Sequence, residues 1–156
     1  MSTYENQVRE ASAHFLMKPT LVDSCVLIDV LADDPQWAEW SMQKLEALGT
    51  QAPLVINPFI LAEISPRFER ASDLEAALNL LPLQKQALPW DAAFLAGQAF
   101  KVYRPAKGLQ RSPMPDFYIG AHALTQGMRL LTRDAKRFMT YFPNLVVISP
   151  ENSPLL

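Results

Sequence analysis

Cysteine is almost absent from this chain. Cys25 is the only one, so no internal disulfide can form, and a reducing cytoplasm suits the protein. The same scarcity removes any paired-cysteine zinc signature, and no glycine-rich phosphate loop occurs. No apolar run reaches the length that a membrane span requires. The opening residues carry Glu5, Arg9 and Glu10 where a secretory signal would be apolar, so residues 1–18 read as a short amphipathic, helical extension. Of the two histidines, His14 and His122, neither sets up a Ser/His/Asp triad, and both read as structural. Net charge is nearly absent too, at −2, so there is no global attraction to nucleic acid.

That small average hides a division. Residues 1–100 hold 6 Lys and Arg against 13 Asp and Glu, whereas residues 101–156 hold 8 against 3. The basic set, Lys101, Arg104, Lys107, Arg111, Arg129, Arg133, Lys136 and Arg137, surrounds Asp116 and Asp134 in sequence. It reads either as a phosphate-binding rim, with Arg111 and Arg133 the candidate contacts, or as ordinary solvated charge.

With 156 residues, 49% hydrophobic and 19% charged, the chain has the size and composition of one globular domain. Short apolar strands are expected at Thr20–Asp23, Leu54–Ile56, within Pro82–Pro89, at Arg129–Thr132 and at Leu145–Ile148. Between them lie helical stretches. One follows Asp23 directly, and one should start at Asp34-Pro35 and stop at Gly49. Asn57-Pro58 opens another, as does the capping-box spacing Ser72-Asp73-Leu74-Glu75. A helix spans Trp90 to Tyr103, one runs from Pro115-Asp116 to Gly127, and one from Asp134 to Tyr141. Strands alternating with helices, and unbroken rather than alternating apolar strands, predict a three-layer α/β/α sandwich on a short parallel sheet of four or five strands. The domain is expected over 19–149, with 150–156 a loose tail. Trp37 and Trp40 read as core or dimer-packing residues, and Cys25 as a small buried one.

What stands out is four acids where apolar sequence meets an element end: Asp23, Glu63, Asp116 and Asp134. Residues just past the carboxyl ends of parallel strands share a crevice, so the four can converge there. Carboxylates gathered in this way suit a hard divalent ion such as Mg²⁺, which takes oxygen ligands and activates water at a phosphate. Singly, each acid has an ordinary structural reading as a cap, a dipole partner or an exposed charge.

The segments carrying these acids are Leu21-Val22-Asp23-Ser24-Cys25-Val26-Leu27-Ile28-Asp29, Pro58-Phe59-Ile60-Leu61-Ala62-Glu63-Ile64, Pro115-Asp116-Phe117-Tyr118-Ile119-Gly120-Ala121-His122-Ala123 and Leu131-Thr132-Arg133-Asp134-Ala135-Lys136-Arg137-Phe138. In this order, at steps of 40, 53 and 18 residues between the acids, they resemble the PIN-domain ribonucleases, and within them the toxins of VapC-type toxin–antitoxin pairs. The resemblance implies a Mg²⁺- or Mn²⁺-dependent endoribonuclease whose metal-holding and catalytic quartet corresponds to Asp23, Glu63, Asp116 and Asp134. Ser24 and Thr132 match the family's auxiliary hydroxyl residues. It further implies an RNA substrate, a cognate antitoxin and a homodimer. Asp29, six positions after Asp23, is left outside the site. A non-catalytic partner-binding or regulatory module of the same fold is the alternative, and a phosphatase using Asp23 as nucleophile ranks last, because no second Asp stands two positions on.

Overall fold

Apolar triplets, each flanked by helix-forming sequence, become the strands of one sheet: β1 Thr20–Val22, β2 Leu54–Ile56, β3 Leu83–Lys85, β4 Arg129–Leu131 and the two-residue β5 Val147–Ile148. The helices are α1 Ser24–Leu31, α2 Ala38–Gln51, α3 Pro58–Ile64, α4 Ala71–Leu78, α5 Trp90–Tyr103, α6 Pro115–Thr125 and α7 Ala135–Tyr141. This computed structural model describes residues 3–7, 18–103 and 112–156. Residues 3–7 are helical; the rest of the expected N-terminal helix, with His14, Arg104, Lys107 and Arg111, lies outside the described residues.

All four strand pairings are parallel, in the order β3-β2-β1-β4-β5. Consecutive residues of β1 and β2 are buried without alternation, so helices cover both faces of the sheet, as the sandwich expectation required. Their side chains join Leu27, Ile60, Ile64, Phe117, Ile119, Leu130, Leu131 and Phe138 in one continuous core. Burial of this kind contributes roughly 25 cal/mol per Å² of apolar surface removed from water. The order reverses between β1 and β4, so the carboxyl ends of these two neighbouring strands open into a topological switch point.

Local signals set most boundaries. Asn57 caps α3 by accepting from the Ile60 amide at 3.0 Å, and Pro58 supplies the preset first turn. Gly127, at φ 64°, takes the left-handed conformation that closes α6, with the Met128 amide reaching back to the Ala123 carbonyl. Besides β5, which is two residues shorter than expected, three helix boundaries differ from expectation. Asp34 accepts from the amides of Gln36 and Trp37 at 2.9 and 2.8 Å, but this organises a turn, and α2 itself starts at Ala38. Gly49 does not end α2, which continues to Gln51, because Leu45 and Leu48 still anchor its inner face. Ser72 caps nothing: α4 begins at Ala71, and Asp73 pairs with the Arg70 side chain instead.

The C-terminal segment, expected to be loose, is tied to α2. Trp40 Nε1 donates to the Ser153 carbonyl at 2.8 Å, Lys44 Nζ to that of Pro154 at 3.0 Å, and the Leu156 amide to Gln43 at 3.2 Å. Trp40 is buried and meets Trp37 edge to face, and both pack on the core.

Candidate active site

The backbone brings the first and fourth acids together before any side chain is considered. The Asp23 amide donates to the Leu131 carbonyl at 2.9 Å, extending the β1–β4 ladder by one rung, and Thr132 leaves β4 directly opposite. Thr132 is fully buried, and its Oγ1 donates to Asp23 Oδ2 at 2.7 Å while accepting from the Asp134 amide at 3.1 Å. Asp23 Oδ1 accepts from the Ser24 amide at 2.8 Å, which caps α1. Capping and site-lining are therefore compatible roles for this carboxylate. Its orientation is set at both oxygens.

Glu63 and Asp116 arrive on α3 and α6. Ile60 and Ile64 fix the inner face of α3, and Phe59, one turn before Glu63, stacks on Tyr118 of α6 at 4.3 Å between ring centroids. That stack brings the α3 carboxylate toward Asp116, two residues before Tyr118. On α6, Gly120 lets the rings of Phe138 and Phe142 lie directly against the helix; a Cβ there would overlap the Phe142 ring. The close approach seats α7, and with it Asp134 and Arg137, beside Asp116.

Asp23, Ser24, Cys25, Glu63, Asp116, Arg133, Asp134 and Arg137 line one open cavity of about 480 Å³. All four acids singled out in the sequence meet there. Two further lining residues had been given other readings, Cys25 as a small buried residue and Arg137 as one of the basic set. Cys25 is only partly buried, and its thiol lies 3.5 Å from Asp23 Oδ2 and 3.6 Å from Thr132 Oγ1. Burial, then the Asp23 charge, pushes that thiol up to about 12, so it is a protonated donor rather than a nucleophile. Arg137 bridges two of the acids, Nη1 to Asp116 at 3.0 Å and Nη2 to Asp134 at 2.8 Å. Its i+3 spacing from Asp134 was visible in the sequence; its reach to Asp116 was not.

Electrostatics record the crowding of negative charge. Burial raises Asp23, against the pull of the Thr132 and Cys25 hydrogen bonds. Glu63 is raised to about 7 by burial and then by the charges of Asp23 and Asp116. Asp116 is raised by burial even though Arg137 draws it back. Like charges facing one another in a half-buried cleft disfavour ionisation.

Oxygen donors crowded by their own charge fit a hard divalent cation, which keeps several waters and uses one or two carboxylates. Among the described residues, however, no three acid, cysteine or histidine side chains are drawn together as a finished ligand cage. Arg137 is the cation that Asp116 and Asp134 hold instead.

His122 lies apart from the cavity, as its helical position implied. It is fully buried, its Nδ1 sits 3.0 Å from the Asn57 amide nitrogen, and burial lowers its pKa. It braces the cap of α3.

The model of the PIN domain matches residues 20–140. The chain belongs to the PIN domain family. No curated protein matches it significantly. Solved structures with the same fold include VapBC2 from Rickettsia felis bound to a DNA fragment from its promoter, at 19% identity and a TM-score of 0.65 over 84% of this chain and 98% of that one. VapBC-1 from nontypeable Haemophilus influenzae aligns at 16% identity and 0.63 over 84% and 97%. FitAcB from Neisseria gonorrhoeae aligns at 19% and 0.60 over 86% and 99%. This PIN domain thus carries its acidic cavity at the switch point of a fold shared with these solved structures. No described helix is long and apolar enough to cross a membrane.

Proposed function

We propose that the protein is a divalent-metal-dependent endoribonuclease of the VapC type, the toxin of a toxin–antitoxin pair. The observation that carries this reading is the meeting of Asp23, Glu63, Asp116 and Asp134 in one cavity. Asp23 and Asp116 would hold Mg²⁺ or Mn²⁺, with Glu63 and Asp134 completing the oxygen donors. A bound divalent ion supplies Lewis acidity toward the scissile phosphate and lowers the pKa of an attacking water. The chain's own contribution is orientation. Thr132 and the Ser24 amide hold the Asp23 carboxylate in place. The Ser24 hydroxyl lowers the Glu63 pKa, keeping that carboxylate more available.

The partners that accompany this reading are an RNA substrate, a second copy of the chain in a homodimer, and a cognate antitoxin that enters the acidic cavity, with activity in the cytoplasm. Support comes from family membership and from the toxin–antitoxin complexes that share the fold.

Purified protein incubated with total RNA should cleave it with Mg²⁺ or Mn²⁺ and not with EDTA. Asp23→Asn and Asp116→Asn should each abolish cleavage while melting as folded proteins. Undiminished cleavage by both variants rejects the assignment. One observation favours a second reading, a non-catalytic PIN module that binds or regulates a partner: Arg137 already neutralises two of the four acids. Folded wild-type protein that shows no metal-stimulated cleavage of RNA would favour that reading over the nuclease.

A further inference from the structure

Asp29 was set aside on sequence grounds, yet it is 1% exposed in the interior of α1. A buried carboxylate is costly unless paired and hydrogen-bonded. Its Oδ2 accepts from Ser41 Oγ on α2 at 2.8 Å and from Arg133 Nε at 2.6 Å. The Arg133 guanidinium carbon also lies 5.3 Å from the centre of the Trp37 ring, within cation–π range. Two elements therefore hold one arginine: α1 through Asp29, and the α2 region through Ser41, which steadies Asp29, and Trp37.

The two partners are not buried alike. Here the acid is buried while the Arg133 side chain stays 29% exposed and lines the acidic cavity beside Asp134. Only Nε is used by Asp29, and among the described residues the two terminal amino groups take no partner. Those groups form the planar fork that matches a phosphate. An arginine normally loses much of its rotamer freedom when it is fixed on a ligand. Here the restriction is imposed during folding.

We propose that Asp29, with Ser41 and Trp37, is a positioning residue that pre-sets Arg133 as the contact for a backbone phosphate of the nucleic acid at the rim of the cavity. This rests on the nuclease reading and names how that site takes hold of its substrate. Arg137 is a different case, because both its terminal nitrogens face acids rather than a ligand.

The test is fluorescence anisotropy of a fluorescein-labelled single-stranded RNA of mixed sequence, in EDTA to prevent cleavage, across a series of salt concentrations. Arg133→Gln should reduce the slope of log affinity against log salt by about 0.7, the value for one phosphate contact on a single strand. Asp29→Asn and Arg133→Lys should keep the slope yet bind about five- to tenfold more weakly, since charge remains and placement is lost. Because Arg133→Gln strands a buried carboxylate and can unfold the protein, the double variant D29N/R133Q is made as well. It should melt as a folded protein and bind no more weakly than Arg133→Gln alone. A wild-type slope in the double variant overturns the proposal. So does an Asp29→Asn loss that is equally large with and without Arg133, since that is what a merely structural role produces. Wild-type protein that neither binds nor cleaves RNA defeats the nuclease reading itself, a result separate from these.

Discussion

Replacing Arg137 with Gln should tighten divalent-ion binding, and the geometry sets the size of the effect. Arg137 touches Asp116 and Asp134 at 3.0 and 2.8 Å, so its charge sits where a cation held by those acids would feel it. Two unit charges about 4 Å apart interact by ~1 kcal/mol in a water-like medium, and a dication doubles that. Screening is strong because the Arg137 side chain is 51% exposed, so about 1.4 kcal/mol, a tenfold gain in Mn²⁺ affinity, is expected. The same substitution should weaken the metal-free protein by about 1 kcal/mol, since two carboxylates lose their counter-charge. Calorimetric titration with Mn²⁺ at low ionic strength reads the first effect, and thermal melting in EDTA the second. Opposite signs in the two measurements are the signature. Equal or weaker Mn²⁺ binding by a folded variant would refute the idea that this guanidinium competes with a metal.

Other expectations follow from the same geometry. Glu63 is raised from 4.5 to about 7, so its protonated form adds stability that is complete below the lower value and lost as pH rises through the upper one. Glu63→Gln should accordingly stabilise the metal-free protein near pH 8 by about 1 kcal/mol, discounted for the exposed position of the residue, and leave it unchanged near pH 4. Melting curves across pH in EDTA check this; a Gln variant less stable at the alkaline end contradicts it. Thr132→Val removes a hydroxyl that serves both Asp23 and the Asp134 amide, and should cost about 2 kcal/mol in denaturant unfolding, with Thr132→Ser recovering most of it. Gly120→Ala should destabilise by about 1–2 kcal/mol, overpacking against Phe142 outweighing the gain in helix propensity. An equally stable Ala variant would show that α7 can shift freely away from α6.

The fold was open to sequence reading because its strands are short, unbroken apolar runs set between capped helices, and α5 spans the expected Trp90–Tyr103. The four acids were readable for a related reason: each sits at an element end or on a helix whose start is marked by Asn57-Pro58 or Pro115. What could not be read depends on side chains meeting across the chain. Arg137 looked like one basic residue among eight, because its partner Asp116 is brought near only by the packing of α7 on Gly120. Asp29 does turn away from Asp23, as its helical spacing implied, but its partners Ser41 and Arg133 lie too far off in sequence to be read from that angle. Local rules also failed where tertiary packing outweighed them, as at Gly49, where the inner face of α2 carries the helix past the residue expected to stop it.

The ladder between β1 and β4 has a consequence for biosynthesis. Asp23 is held by Thr132, 109 positions later, so the first of the four cavity acids to leave the ribosome waits for its restraint until β4 has emerged. Fragments ending before β4 contain Asp23, Glu63 and Asp116 but neither the neighbouring strand nor the hydroxyl that aligns them. The four-acid cavity is thereby assembled only in the nearly finished polypeptide.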